Sequence, residues 1–134
     1  MNPKQFLLIG GLVLVVVGIL GFIGVLGPTA EDSIFGDPWW FDNGENWAHL
    51  VIGVVGVLAA YTIGAGSQRG LVMLLGIVGV LIGLYSLLVS EAFLGANLEN
   101  PADSILHLVV GAWALYASRG KAMTGSATPP PAAM

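Results

Sequence analysis

Phe6–Leu26 reads FLLIGGLVLVVVGILGFIGVL, without a charged residue from end to end. About 20 apolar residues, at 1.5 Å of helix rise each, cross a hydrocarbon core of roughly 30 Å, so length and composition make this stretch a transmembrane candidate. Three more follow: Trp47–Ala65 (WAHLVIGVVGVLAAYTIGA), Leu71–Ser90 (LVMLLGIVGVLIGLYSLLVS) and Ser104–Ser118 (SILHLVVGAWALYAS). The fourth is short. It spans only if its helix begins near Asn100–Pro101, which brings Asp103 to the membrane edge. No run alternates with period 2 and the chain is too short for a barrel, so strands are not expected. The predicted fold is an all-α integral membrane bundle of four transmembrane helices, at about 6–26, 46–66, 70–90 and 101–118. These lie within one domain, 1–123, followed by a flexible Pro- and Ala-rich tail, Thr124–Met134 (TGSATPPPAAM). Lys4 before an apolar run also suggests a signal peptide. The length of the run, and Pro28 where a small-residue cleavage site would fall, favour a helix that stays.

Composition agrees with lipid as the solvent. Of 134 residues 56% are hydrophobic and only 9% charged, where soluble domains carry about a quarter. The absence of Cys excludes disulfides, thiolate metal sites and Cys nucleophiles. A net charge of −4, with only four Lys and Arg, excludes nucleic acid as a partner. The 20 glycines fall largely inside the apolar runs, where they let membrane helices approach closely.

Charge placement sets the topology. Lys4 precedes the first stretch, Arg69 lies between the second and third, and Arg119 and Lys121 follow the fourth. The positive-inside rule therefore puts both termini in the cytoplasm. Glu31, Asp32, Asp37, Asp42, Glu45, Glu91, Glu99 and Asp103 all fall in or beside the two opposite connections. Gly66-Ser67-Gln68-Arg69-Gly70 reads as a tight turn joining two antiparallel helices. Pro38-Trp39-Trp40-Phe41 reads as an aromatic belt at headgroup level, with a partner-docking patch as the alternative.

The second and fourth stretches begin alike. Glu45-Asn46-Trp47-Ala48-His49-Leu50-Val51-Ile52-Gly53 and Asp103-Ser104-Ile105-Leu106-His107-Leu108-Val109-Val110-Gly111 both read acid-x-x-x-His-Leu-Val-x-Gly. The first and third match through Gly11/Gly18 and Gly76/Gly83. Units of two helices thus repeat in the same direction, which predicts two parallel-repeated hairpins about a pseudo-twofold axis along the membrane normal. Asp42-x-x-Glu45 and Asn100-x-x-Asp103 read as helix caps, with Pro101 at the first helical position. Glu45 and His49 share a helix face, as do Asp103 and His107.

His49 and His107 are the candidate site residues, with Glu45 and Asp103 supporting them. One reading is structural: each imidazole bonds its own acid or the other repeat and fixes helix register. The other is ligation of a haem or chlorophyll-type macrocycle, or of a metal. In that reading Gly53 and Gly111 leave room for a neighbouring helix or a flat ligand. A proton or ion path is a third. The spacing is not the Glu-x-x-His of di-iron bundles, and no dedicated metal motif, nucleophile elbow, P-loop, HExxH or dinucleotide fingerprint is present.

These paired motifs, Asn46-Trp47-Ala48-His49-Leu50 and Asn100-Pro101-Ala102-Asp103-Ser104-Ile105-Leu106-His107-Leu108-Val109-Val110-Gly111, resemble a family of small bacterial four-helix membrane proteins, the domain of unknown function 4383. The resemblance runs over nearly the whole chain and implies a multi-pass protein of a bacterial-type cytoplasmic membrane. It implies no activity. The expectation is a non-enzymatic accessory or structural subunit in the lipid bilayer, with a membrane-protein partner or copies of itself. The alternatives are a pigment- or haem-binding subunit and a small oligomeric transporter or channel.

Overall fold

A computed structural model describes residues 1–121; the tail 124–134 lies outside the described residues. The chain forms four helices, α1 Pro3–Phe22, α2 Asn43–Thr62, α3 Ala65–Leu88 and α4 Ala102–Ser118. Of these, α1 and α3 are long and apolar enough to cross a membrane, while α4 is shorter at 17 residues. The prediction that the second stretch also qualifies needs correction. Helix α2 starts before the predicted residue and stops at Thr62, exchanging apolar residues for the polar Asn43-Gly44-Glu45.

Caps explain the boundaries. Asn2 accepts from the Gln5 backbone and Gln5 reaches back to the Asn2 N–H, with Pro3 next in line, so α1 starts earlier than its apolar run. Asp42 and Glu45 form the same reciprocal box on α2. The turn expected at 66–70 lies instead at Ile63-Gly64. Gly64 is the N-cap of α3, and Gln68 is buried in its first turns. The Gln68 amide donates to Ala60 O and Ile63 O, both at 3.0 Å, satisfying carbonyls that the end of α2 leaves free. Pro101 is the N-cap of α4, not its first residue, and no side chain caps that helix. A two-stranded ribbon, β1 Ala92–Phe93 with β2 Ala96–Asn97, was not expected. Its turn, Leu94-Gly95, takes positive φ at both positions, the tight-hairpin geometry.

Helix α1 packs chiefly along α2, and α3 along α4. Both seams are built from glycine. A Cβ on Gly11 would lie 2.9 Å from Gly53 O, and one on Gly53 2.6 Å from Gly11 O and 2.8 Å from Val15 N. In the second pair a Cβ on Gly111 would lie 2.9 Å from Gly76 O and 2.7 Å from Val80 N. Gly18 meets the Asn46 carbonyl and Leu50; Gly83 meets the Ser104 carbonyl and Leu108. The same positions of the two repeats make the same contacts, with the partners antiparallel.

The two ends of the bundle differ. At the basic end, with Lys4, Arg69, Arg119 and Lys121, an apolar cluster of Phe6, Leu7, Ala59, Ala60, Val72, Ala114 and Ala117 joins all four helices. Phe6 and Trp113 pack edge-to-face there at 4.7 Å. At the acidic end, segments 23–42 and 89–101 fold over the helices, and the polar Glu45, Asn46, Glu99 and Asp103 are buried beside Leu26, Phe41 and Leu98.

Candidate functional site: a buried carboxylate cluster

Asp42 holds the acidic end together. Its Oδ1 accepts from the Glu45 N–H at 2.9 Å and its Oδ2 from the Asn97 N–H at 2.7 Å, tying the start of α2 to the ribbon of the second hairpin. The Asp42 N–H donates in turn to Glu45 Oε2 at 3.1 Å. Glu45 is thereby fixed facing inward, 4% exposed.

Asp103 lies in the first turn of α4 and is 1% exposed. Both of its oxygens accept: Oδ1 from the Trp39 indole N–H at 2.8 Å, Oδ2 from the Glu99 N–H at 3.1 Å. Both oxygens are thereby committed to N–H donors. Glu99, in the loop before α4, is 8% exposed, and its Oε1 accepts from the Asn97 amide at 2.8 Å. One carboxylate oxygen from each of Glu45, Glu99 and Asp103 lies within 4.8 Å of the other two. Glu45 Oε1 and Glu99 Oε2 are buried without a partner.

Three carboxylates this close cannot all stay ionised without a compensating positive charge. Burial pushes the Glu99 carboxyl up to about 8, and the neighbouring Asp103 carboxyl acts in the same direction. The four basic residues stand at the far end of the bundle and supply no counter-charge.

The two predicted histidines fare differently. His107 donates from Nδ1 to the Asp103 carbonyl at 2.8 Å, one turn back along its own helix. His49 Nδ1 is buried without a partner, and the ring meets Phe41 edge-to-face at 5.0 Å. Neither imidazole hydrogen-bonds the carboxylate one turn above it. The spaces beside Gly53 and Gly111 are filled by the backbones of α1 and α3, so the neighbouring helix takes the room that a flat ligand would need there.

The predicted acids Glu45 and Asp103 therefore belong together, across the two repeats, more than either belongs with its histidine. Glu99 and Trp39 were not singled out as site residues. Glu99 precedes Asp103 by one helical turn, a signal that spacing offered. Trp39 was read as a membrane-belt residue, yet its indole N–H serves Asp103; an indole donor near a buried acid was the available sign. No family model matches the chain, and no match is found among curated proteins or solved structures. The resemblance to the domain of unknown function 4383 accordingly rests on the paired motifs alone.

Proposed function

We propose that the chain is a four-pass membrane protein with both termini on the cytoplasmic side, acting without catalysis as an accessory or structural subunit of a membrane assembly. One observation carries this reading: the helices are arranged inside out. Helix α1 buries Gly11, Gly18 and Gly21 and exposes Leu12 and Val13, and α3 buries Gly76, Gly83 and Ser86 and exposes Leu74 and Leu81. In water such faces cost about 25 cal/mol for each Å² of apolar surface. In lipid they cost nothing, and small residues give the close backbone contact that holds helices together there.

The separation of basic from acidic ends supports the orientation, and the matching glycine seams support an internal duplication about an axis along the membrane normal. The carboxylates are held by donors from the chain itself, Trp39, Asp42 and Asn97, which suits a fixed closure more than an open reaction site.

Two measurements test the proposal. Cysteines replacing Leu94, at the ribbon tip, and Ser67, in the first turn of α3, should be distinguishable in intact cells. An impermeant thiol reagent is expected to label Leu94→Cys alone, and labelling of Ser67→Cys would reverse the orientation. Native mass measurement of the protein taken from its own membrane in mild detergent is expected to give an assembly heavier than the 13.8 kDa chain. A uniform monomer would remove the subunit reading.

A further inference from the structure

We propose that Glu45, Glu99 and Asp103 form a binding site for a hard divalent cation of the calcium class, which locks the acidic ends of the two hairpins together. The proposal concerns the cluster itself and does not depend on the subunit reading.

Geometry is the first support. Oxygens from three acids no more than 4.8 Å apart need draw in only to about 4.2 Å from one another for all three to reach one ion at about 2.4 Å, the usual calcium–oxygen distance. Magnesium, at about 2.1 Å, would require a larger contraction, to about 3.6 Å. An all-oxygen donor set with no thiolate or bonded imidazole favours hard cations over zinc or copper.

The state of the oxygens is the second support, and it is independent of their clustering. Each glutamate is anchored through one oxygen, Glu45 by the Asp42 N–H and Glu99 by the Asn97 amide. The remaining oxygens, Glu45 Oε1 and Glu99 Oε2, are held in the interior with nothing to accept from, although the residues are 4% and 8% exposed. Buried carboxylate oxygens left unpaired carry a cost well above that of a neutral polar atom. A divalent ion uses both at once. It would join α2 to α4 and to the loop before α4, at the end of the bundle where Trp39 bonds Asp103 and Asn97 bonds Asp42 and Glu99.

Protons are the competing occupant. Asp42, His49 and His107 are the other titratable groups around the cluster. Asp42 has both oxygens committed to backbone donors, and His107 is committed to the Asp103 carbonyl. The choice at the trio is thus between one divalent ion and protons on the glutamates, and acid should drive the ion out.

The full chain in mild detergent contains its own reporter. The Trp39 indole, hydrogen-bonded to Asp103, stands where it can sensitise Tb³⁺, a luminescent substitute for Ca²⁺. At a mildly alkaline pH, excitation of tryptophan is expected to give Tb³⁺ emission that added Ca²⁺ displaces. Ca²⁺ should also raise the thermal midpoint at that pH and lose this effect on acidification. Glu99→Gln and Glu45→Gln keep the anchoring hydrogen bond and remove one charge. Each is expected to weaken Tb³⁺ and Ca²⁺ binding at least about tenfold. The wild-type emission keeps the test decisive even if a variant does not fold. Absence of Ca²⁺-displaceable emission from the wild type would overturn the proposal, as would emission unchanged in both folded variants. Stabilisation by acid alone, with no response to Ca²⁺, would assign the cluster to protons.

Discussion

The two hairpins share one seam and differ at their helix starts. In α1–α2 and α3–α4 the glycines meet equivalent carbonyls and equivalent apolar side chains, position for position. Above the seams the equivalence ends. Helix α2 opens with a complete capping box, so Glu45 spends one oxygen on its own helix terminus. Helix α4 has no side-chain cap, and Asp103 is free to accept from Trp39 of the first hairpin's connection and from Glu99. Close helix contact tolerates little variation, because backbone meets backbone. Helix starts tolerate more, and the chain has used that freedom to bring acids from both repeats into one cluster.

The largest expected effect tests the shared half of this comparison. Gly53→Leu and Gly111→Leu each force a side chain against a facing backbone, which has no flexible end to move. Each is expected to destabilise by about 3 kcal/mol, the upper range for overpacking. The two losses should be alike, measured by equilibrium unfolding in mixed micelles. Gly66→Ala and Gly70→Ala in α3 meet open space and should be neutral or stabilising by up to about 1 kcal/mol from helix propensity. A tolerated Gly111→Leu beside a ruinous Gly53→Leu would break the equivalence of the seams.

The next effect tests the differing half. Trp39→Phe keeps an aromatic ring against Phe41, now at 5.3 Å from the indole, and removes the donor to Asp103 Oδ1. A buried acceptor left short of a donor is expected to cost about 1–3 kcal/mol. The same unfolding assay reads it. A cost near zero would mean that the indole contact contributes nothing to closing the acidic end.

Acidity sharpens the comparison further. The Glu99 carboxyl titrates at about 8 in the folded chain against an ordinary value of 4.5. Between those values the folded state holds a proton that the unfolded state has lost, so stability is greatest below the lower value and declines as pH rises through the upper one. With chelator present to remove divalent ions, the thermal midpoint of the wild type is therefore expected to fall from mildly acid to mildly alkaline solution. Glu99→Gln should flatten that decline. A midpoint that rises over the same range would contradict the buried, carboxylate-facing position of Glu99.

Much of this architecture was legible in the residues because it depends on local composition. Four apolar runs gave four helices, the spacing of Gly11/Gly18 and Gly76/Gly83 pointed to the seam positions, and Asp42-x-x-Glu45 gave a cap that forms. What was not legible depends on where loops carry their side chains. Nothing in Pro38-Trp39-Trp40-Phe41 says that one indole turns inward to an acid more than sixty positions away. The Ala92–Asn97 ribbon is too short to leave an alternating pattern. The repeated acid-x-x-x-His motif also drew attention to pairs within each helix, whereas burial selects pairs across helices: Glu45 has Glu99 and Asp103 as neighbours, and neither histidine bonds the acid one turn away.

The smallest expected effect concerns those histidines, which the repeat makes equivalent and the structure does not. His107 makes a hydrogen bond through Nδ1, and His107→Phe removes it together with the polarity it satisfied, an expected loss of about 0.5–1.5 kcal/mol. His49 has a buried Nδ1 with no partner and an edge-to-face contact with Phe41. His49→Phe keeps the ring contact and deletes the unpartnered nitrogen, so the change is expected to be neutral or slightly stabilising, within about 1 kcal/mol. The difference between the two variants, measured side by side, is the informative quantity, because errors common to the detergent and the denaturant cancel in it. Equal losses would mean that His49 is bonded to a group outside the chain, as ligation of a macrocycle or metal would require. An absorption spectrum of the wild type and of His49→Phe then decides that case: a visible band lost with His49 would restore the pigment reading. Its absence, with the two stabilities apart as expected, would leave His107 as a register-fixing residue and His49 as its apolar-facing counterpart.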